Sequence, residues 1–376
     1  MSEVHRGAES RARKFDSLDG LRGLSALIVV LFHYGVAAGI DGVFAGYIVV
    51  DFFLMLSGFV LSHAYFSKPV EIGKFVRNRI ARMWPTHALI IVLLGIGYIV
   101  LKGEFDPQKF LMKMTLTNNL GFGPDRPMYN WASWTVAVEF WVNMVMVALF
   151  AVLPVMRHSL LWRGTVCGLI AAACYATLFI YPGHLDAVQH DYGPGLNAGF
   201  VRCLGAFCLG LIVHRVYALH GDRLRPLLGV WGGIIITVFI LALMLNPVVE
   251  TRWDFLAIIA LPLTVFYYAA ADTWLSRAPA ALLYFGKISF SLYLIHWPIL
   301  DGTYLMARRA GIAVDDGNML VLGAMSLFAF LVSIAGATLL QHYFEAPMYK
   351  KFRESHGARQ KREAETAARG GWRAAE

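Results

Sequence analysis

The chain has 376 residues, of which 58% are hydrophobic and only 15% are charged, and its formal net charge is +8. Because soluble domains carry roughly 25% charged residues, this composition excludes an ordinary soluble protein and predicts an integral membrane protein. The basic residues lie in short loops and a tail instead of along one face, which argues against nucleic-acid binding. The polar first 19 residues do not resemble a cleavable signal peptide.

Apolar stretches of about 18 to 24 residues recur along the chain, and each is long enough to cross the ~30 Å hydrocarbon core of a bilayer. We therefore predict an all-α integral membrane protein, a bundle of about ten transmembrane helices. The sixth span is the least clear, because Arg202 lies inside it. The expected spans are 21–40, 44–65, 83–101, 131–154, 161–181, 200–217, 227–245, 253–271, 286–306 and 319–341.

The distribution of basic residues predicts the orientation of this bundle. With the N-terminus inside, the inner segments hold 25 of the 33 Lys and Arg residues and the outer loops hold 7, which places both termini in the cytoplasm. The expected domains are a cytoplasmic segment 1–20, the membrane domain 21–348 and a basic, partly disordered tail 349–376. We also expect a basic amphipathic connection at 66–82 and a short interfacial helix within the outer loop 102–130.

Arg22 and His33 in the first span are eleven positions apart. Eleven steps of 100° return to within about 20° of the same helix face, about 16 Å further along. A charge at the mouth of this span and an imidazole near its middle therefore line one side. Ionisable groups at membrane depth usually face a protein interior or a water-filled cavity, so this pair indicates a functional site.

Three more ionisable residues are expected at a similar depth. Glu139 in the fourth span, His296 in the ninth and Asp51 in the second all fall near the middle of the membrane when depth is counted at 1.5 Å per residue. Ionisable groups are costly at this depth. Their coincidence therefore predicts that the four side chains gather in one site.

Each of these residues also has a structural interpretation, which stays open at this point. His33 is also consistent with a hydrogen-bonded interior histidine, and Glu139 with a structural ion-pair partner. Asp51 is suited to brace the turn 42–46, and His296 to satisfy carbonyls that the following Trp297-Pro298 leaves free.

A group of arginines lies at the expected cytoplasmic surface: Arg77, Arg79 and Arg82, with Lys74 nearby. Arg79 and Arg82 are three positions apart and thus neighbours on a helix, an arrangement suited to clamping phosphates. The alternative is a topology signal that only touches anionic lipid headgroups. The four cysteines have no metal-ligand spacing, and we expect no metal site.

Several segments together resemble the membrane acyltransferase-3 family. The resemblance covers about 330 residues, and the segments occur in the order that the family shows. One departs slightly, since SWTVAVEFW stands where WSL-x-x-E-x-x-Y is commoner. The matching segments are LDGLRGLSALIVVLFHY, VDFFLMLSGFVLS, RNRIARMWP, NWASWTVAVEFW, ISFSLYLIHWPI and HYFEAPMYKKF.

The resemblance implies an enzyme of the bacterial inner membrane that transfers an acyl group, commonly acetyl from acetyl-CoA, to a hydroxyl of a carbohydrate. The acceptor would be an exopolysaccharide, an O-antigen or another lipid-linked glycan. Acyl-CoA would be a co-substrate, with no tightly bound cofactor. Membrane lipid is an expected partner, and homo-oligomerisation stays open.

These residues suggest a mechanism. We expect His33 to be the general base that takes the proton of the acceptor hydroxyl, Glu139 to orient it and Arg22 to contact the CoA arm or polarise the carbonyl. Residues assigned to the CoA phosphates are Arg77, Arg79 and Arg82, and residues assigned to substrate binding or support are Asp51, His296, Trp134 and Tyr34. The competing hypothesis is a proton-coupled transporter or flippase of a glycan, because buried charges on several spans also suit a carrier.

Overall fold

The computed structural model describes residues 15–39, 44–65, 71–122, 129–245, 250–312, 314 and 317–352. The elements of these residues are helical apart from one short hairpin. The α-helices are α1 (Asp16–Ala37), α2 (Val49–Ala64), α3 (Ile72–Lys102), α4 (Pro107–Met114), α5 (Trp134–Val152), α6 (Leu160–Ile180), α7 (Ala198–Leu224), α8 (Val230–Met244), α9 (Ala257–Ala270), α10 (Ala280–Arg309) and α11 (Met319–Leu340). The hairpin pairs β1 (Asp191–Gly193) with β2 (Leu196–Asn197), antiparallel, in the connection from α6 to α7.

Local sequence signals explain several helix boundaries. Asp106 caps α4, accepting a hydrogen bond from the Lys109 amide, and a proline follows it at the first helical position. Asn197 caps α7 in the same way through the Phe200 amide. Gly103 ends α3 in the left-handed region, with φ of 69°.

Eight helices among the described residues are long and apolar enough to cross a membrane. The ninth predicted span corresponds to the 30-residue α10, and the seventh to α8, an apolar helix of only 15 residues; neither is among those eight. The protein is thus a multi-pass helical membrane protein, and the number ten stays a prediction. The eight helical segments, some with short flanking turns, are Asp16–Ala37, Gly46–Ala64, Ile72–Lys102, Trp131–Val152, Leu160–Ile180, Ala198–Leu227, Arg252–Ala270 and Met319–Phe352.

One of the predicted connections takes a different form, and another contains the predicted short helix. Residues 72–82 of the basic connection are the first turns of the 31-residue α3 itself, whereas 66–70 lie outside the described residues. A short helix, α4, is present in the loop 102–130. Of the predicted tail, only residues up to 352 belong to the described part of the chain.

The buried core of the described residues has two large parts that meet at α5, and a small third cluster that includes Ala307 and Met325. One large part contains apolar side chains of α2, α5, α6, α7 and α9, and the other contains those of α1, α3, α5, α10 and α11. Helices α1 and α10 approach closely, because a Cβ on Gly23 would collide with the carbonyl oxygen of Leu282 and a Cβ on Gly286 with that of Asp19. This close pair carries both histidines predicted at mid-membrane.

Candidate active site

The imidazoles of His33 on α1 and His296 on α10 are hydrogen-bonded to each other. His33 Nδ1 lies 2.9 Å from His296 Nε2, and the two rings are stacked with centroids 5.1 Å apart. His296 is completely buried, whereas His33 is half-buried. The structure thus brings together two of the four residues predicted at one depth.

The hydrogen bonds of His296 determine which ring nitrogens carry protons. Its Nδ1 lies 2.7 Å from the carbonyl oxygen of Tyr293, which only accepts, so Nδ1 carries the proton. Its Nε2 then accepts, and His33 Nδ1 donates to it. In this arrangement the neutral His33 has its free lone pair on Nε2, the state that a general base requires.

Backbone carbonyls around the pair are satisfied by other side chains. Pro298 leaves the carbonyl of Leu294 without its helical donor, and Asn130 Nδ2 donates to that oxygen over 2.8 Å. The Tyr34 hydroxyl donates to the carbonyl of His296 over 2.9 Å. The carbonyl freed by the proline is therefore satisfied by Asn130 and not by His296.

A cavity of about 460 Å³ lies beside the first turns of α1. Tyr293, one helical turn from His296, also lines it, and among the described residues neither histidine does. We call it the charged cavity, because its lining includes Asp19, Arg22, Arg79, Arg82, Glu139, Lys287 and Glu345.

The charges of this cavity are only partly paired. Arg22 Nη1 lies 3.0 Å from Asp19 Oδ1, and Arg79 Nη1 lies 4.0 Å from Glu139 Oε1. Within the described residues, Arg82 and Lys287 have no carboxylate within 4 Å. The cavity therefore offers two unpaired cations to an anionic ligand.

Glu139 occupies a different place from the one its predicted role requires. Its Oε1 accepts a hydrogen bond from Ser57 Oγ over 2.7 Å and faces Arg79. No contact of the described residues joins it to His33, whose partner is His296. Counting residues along the helix predicts how deep Glu139 lies in the bundle, but it does not predict the direction in which its side chain points.

Arg22 lines the charged cavity and is also bound to α10. Its Nη2 donates to the carbonyl of Gly286 over 2.7 Å, and its Nε donates to Ser289 Oγ over 3.2 Å. With the ion pair to Asp19, three of its nitrogens are held by protein groups. The guanidinium therefore has a fixed position at the contact of α1 and α10.

Asp51 does not join this site. It forms a fully buried ion pair with Arg202 on α7, with Oδ2 2.7 Å from Nη2, and a second bond from Nε. Arg202 also donates to the carbonyls of Tyr47 and Leu185. The pair joins α2 to α7, and it explains how a charged residue is accommodated in the sixth predicted span.

Two other predicted site residues lie outside the cavity lining. Trp134 is buried at the start of α5 and packs against Gly199, where a Cβ would lie 3.1 Å from the indole ring. Arg77 is half-buried, and its Nη2 has no hydrogen-bond partner among the described residues. Of the three predicted phosphate ligands, Arg79 and Arg82 line the cavity.

Sequence reasoning missed two lysines. Lys287 stands directly before ISFSLYLIHWPI, where its position on α10 could have indicated the cavity. Lys113 on α4 is buried, and its Nζ donates to the Asn130 carbonyl over 2.8 Å and to Ser133 Oγ over 2.7 Å. Burial lowers the pKa of Lys113 to about 7. A lysine on a short amphipathic helix looks exposed, so no sequence signal marked it.

Comparison with known proteins identifies the family. A family model described as an acyltransferase domain matches residues 15–340. The chain is 25% identical over 334 residues to BcsY, named a membrane-bound transacylase, of Komagataeibacter xylinus, with 84% of this chain and 81% of that one covered. It is 20% identical over 377 residues to the O-acetyltransferase OatA of Staphylococcus aureus, with 90% and 58% covered.

A shorter similarity, 39% identical over 98 residues, covers 25% of this chain and 51% of Protein 2 in picA locus of Rhizobium radiobacter. The chain thus matches most of the length of the transacylase, but 58% of the staphylococcal O-acetyltransferase and 51% of the Rhizobium protein. No solved structure matches.

Proposed function

Because the chain belongs to the acyltransferase-3 family, as the match over residues 15–340 shows, we propose that this membrane O-acyltransferase moves an acetyl group from acetyl-CoA to a hydroxyl of a carbohydrate. Its relatives are named as a membrane-bound transacylase and an O-acetyltransferase. The acceptor is an exopolysaccharide, O-antigen or other lipid-linked glycan at the bacterial inner membrane.

The observation that carries this proposal is the hydrogen bond between His33 and His296. His33 Nε2 takes the proton of the acceptor hydroxyl as that oxygen attacks the thioester carbonyl. The carbon–sulfur bond then breaks, and the departing CoA sulfur receives the proton from His33. His296 orients the ring of His33, the part that an acid plays in a Ser-His-Asp triad.

The charged cavity is proposed as the entry for the CoA end of the donor. CoA is rich in phosphate, and Arg82 and Lys287 are the cations of the lining without an ion-pair partner among the described residues. Arg79, fixed beside Glu139, adds a third positive charge. The thioester arm then passes Tyr293, which lines the cavity one helical turn from His296.

With both termini in the cytoplasm, the cavity opens to the cytoplasmic pool of acyl-CoA. The excess of basic residues in the inner segments supports this orientation. A reporter enzyme that works only outside the cell, fused after Glu376, should be inactive. Activity of that fusion contradicts the orientation, and with it the cytoplasmic opening.

The reaction is tested with purified protein in proteoliposomes, radiolabelled acetyl-CoA and glycan from a deletion strain. Wild type should transfer label, and His33→Ala should transfer at least ~10²-fold more slowly, because a positioned base contributes about that factor. His190→Ala, at an exposed histidine in the α6–α7 connection, is the matched control. Near-normal transfer by His33→Ala contradicts the general-base role, and glycan uptake without any acyl donor supports the transporter hypothesis instead.

A further inference from the structure

Helices α1 and α10 run in the same direction and touch at corresponding heights. Arg22 on α1 contacts both Gly286 and Ser289 on α10. Ser289 lies seven positions before His296 on that helix. His33 contacts His296 further along. Eleven residues separate the two contacts on α1, and ten residues separate Gly286 from His296 on α10, so both helices rise about 15–16 Å between them.

The interface between these helices is smooth at the level of Arg22. Gly23 and Gly286 bring the two backbones into direct contact, with no side chain between them at those positions. Interlocking side chains normally fix how far one helix sits along another. Where glycines replace them, as at Gly23 and Gly286, directional polar contacts can take over this role.

Arg22 provides such contacts. Its planar guanidinium has donors in a rigid fork, and two of its nitrogens donate to the Gly286 carbonyl and to Ser289 Oγ, both on α10. Asp19, one turn earlier on α1, holds the third nitrogen. The side chain therefore ties a fixed point of α1 to a fixed point of α10.

The contact between the histidines depends on the same axial position. A shift of one residue moves a helix by about 1.5 Å. That displacement is enough to break the 2.9 Å bond between His33 Nδ1 and His296 Nε2. We infer that Arg22 is a positioning residue, which holds α1 in register on α10 so that His33 and His296 stay hydrogen-bonded.

The catalytic part of this inference rests on the proposed role of His33. A donor ligand and a positioning residue predict different kinetics. Misplacement of about 1 Å can cost on the order of 10²-fold in rate, so Arg22→Gln should lower kcat at least tenfold. Its KM for acetyl-CoA should stay within twofold, because ground-state binding is kept. Ser289→Ala, a milder change at the other end of the contact, should show a smaller loss of the same kind.

A double-mutant cycle tests whether Arg22 acts through the histidine pair. Once His296→Gln has broken the pair, adding Arg22→Gln should cost less than threefold further in kcat. Combined with Arg82→Gln, the loss from Arg22→Gln should be multiplicative. A raised KM with unchanged kcat, or fully multiplicative losses with His296→Gln, would overturn the inference.

A measurement without activity separates this inference from the proposed function. In the ¹⁵N spectrum of histidine-labelled protein, wild type should show His33 and His296 each protonated at Nδ1. The two signals are assigned by their loss in His33→Gln and His296→Gln. Arg22→Gln, whose thermal transition is used to check that it is folded, should shift both signals. Unchanged signals would contradict the role of Arg22 in holding α1 in register on α10. Absence of transfer by wild type rejects the proposed function and leaves this result valid.

Discussion

Asp51 on α2 and Arg202 on α7 form an ion pair in which each side chain is 2% exposed or less. Two nitrogens of the guanidinium donate to the carboxylate. Two further N–H groups of Arg202 donate to the carbonyls of Leu185 and Tyr47. Removing one partner of such a buried pair leaves the other as an uncompensated charge.

Asp51→Asn should therefore lower the free energy of unfolding by about 3–5 kcal/mol. The matched control is Asp222→Asn, which removes the acid of an exposed pair with Arg225 and should cost about 1 kcal/mol or less. Thermal unfolding of both variants in the same detergent measures the difference. Equal losses would show that the buried pair adds no more than a surface pair.

The position of Glu139 predicts which residues it is coupled to. Because it faces Arg79 and Ser57, the losses in kcat/KM from Glu139→Gln and Arg79→Gln should not multiply in the double variant. Losses from Glu139→Gln and His296→Gln should multiply. If acetyl-CoA titrations show instead that the losses multiply with Arg79→Gln and do not multiply with His296→Gln, Glu139 orients His33, as the sequence alone suggested.

Arg82 and Lys287 are expected to bind the phosphates of the donor. Replacing either with an uncharged residue, Arg82→Gln or Lys287→Met, should raise KM for acetyl-CoA about fivefold with kcat within twofold, because the contact exists in both ground and transition states. With acetyl-pantetheine, which lacks the nucleotide, both variants should match wild type. Lys74→Met, at a lysine that does not line the cavity, is the control. Equal effects on both donors would contradict phosphate binding.

The buried Lys113 predicts that the stability of the segment around α4 depends on pH. Burial lowers its pKa from the usual 10.5 to about 7, so between these values the unfolded segment binds more protons than the folded one. The free energy of local unfolding should therefore rise as the pH increases between these two pKa values. Below about pH 7 the destabilisation caused by the buried charge of Lys113 is complete. A neutral amine has two protons, enough for Asn130 and Ser133.

Hydrogen exchange of peptides within 107–122, corrected for intrinsic rates, measures this effect at pH 7 and pH 9. Wild type should be better protected at pH 9, whereas Lys113→Met should show nearly equal protection at both values. Parallel changes in the two proteins would assign the pH dependence to another group.

Much of the fold followed from hydropathy, because a bilayer requires long apolar segments whatever their neighbours. The sequence also predicted which residues belong to the site better than it predicted which of their side chains contact one another. Counting depth correctly suggested that His33 and His296 lie near each other, yet it also grouped Asp51 and Glu139 with them. Depth fixes one coordinate, whereas the direction of a side chain depends on how each helix is rotated against its neighbours.

Lys113 and Arg202 show the second limit of sequence reasoning. Both are buried cations stabilised by distant partners, one by backbone and hydroxyl oxygens and the other by a carboxylate 151 positions away. No local spacing encodes such partners, so a charged residue looks like a surface residue or an interruption of a span. Only the packing of α2 on α7, and of α4 on the turn Trp131–Ser133, reveals them.

Helix α8, with 15 residues, rises only about 22 Å at 1.5 Å per residue. As a spanning helix it is shorter than the ~30 Å hydrocarbon core, whereas α3 and α10, with 31 and 30 residues, exceed it. The exposed Trp231 and Ile235 place this short helix at the lipid boundary. A 15-residue helix that crosses the bilayer matches a hydrocarbon core thinner than ~30 Å, so we expect the activity of the enzyme to depend on the thickness of the membrane in which it is reconstituted.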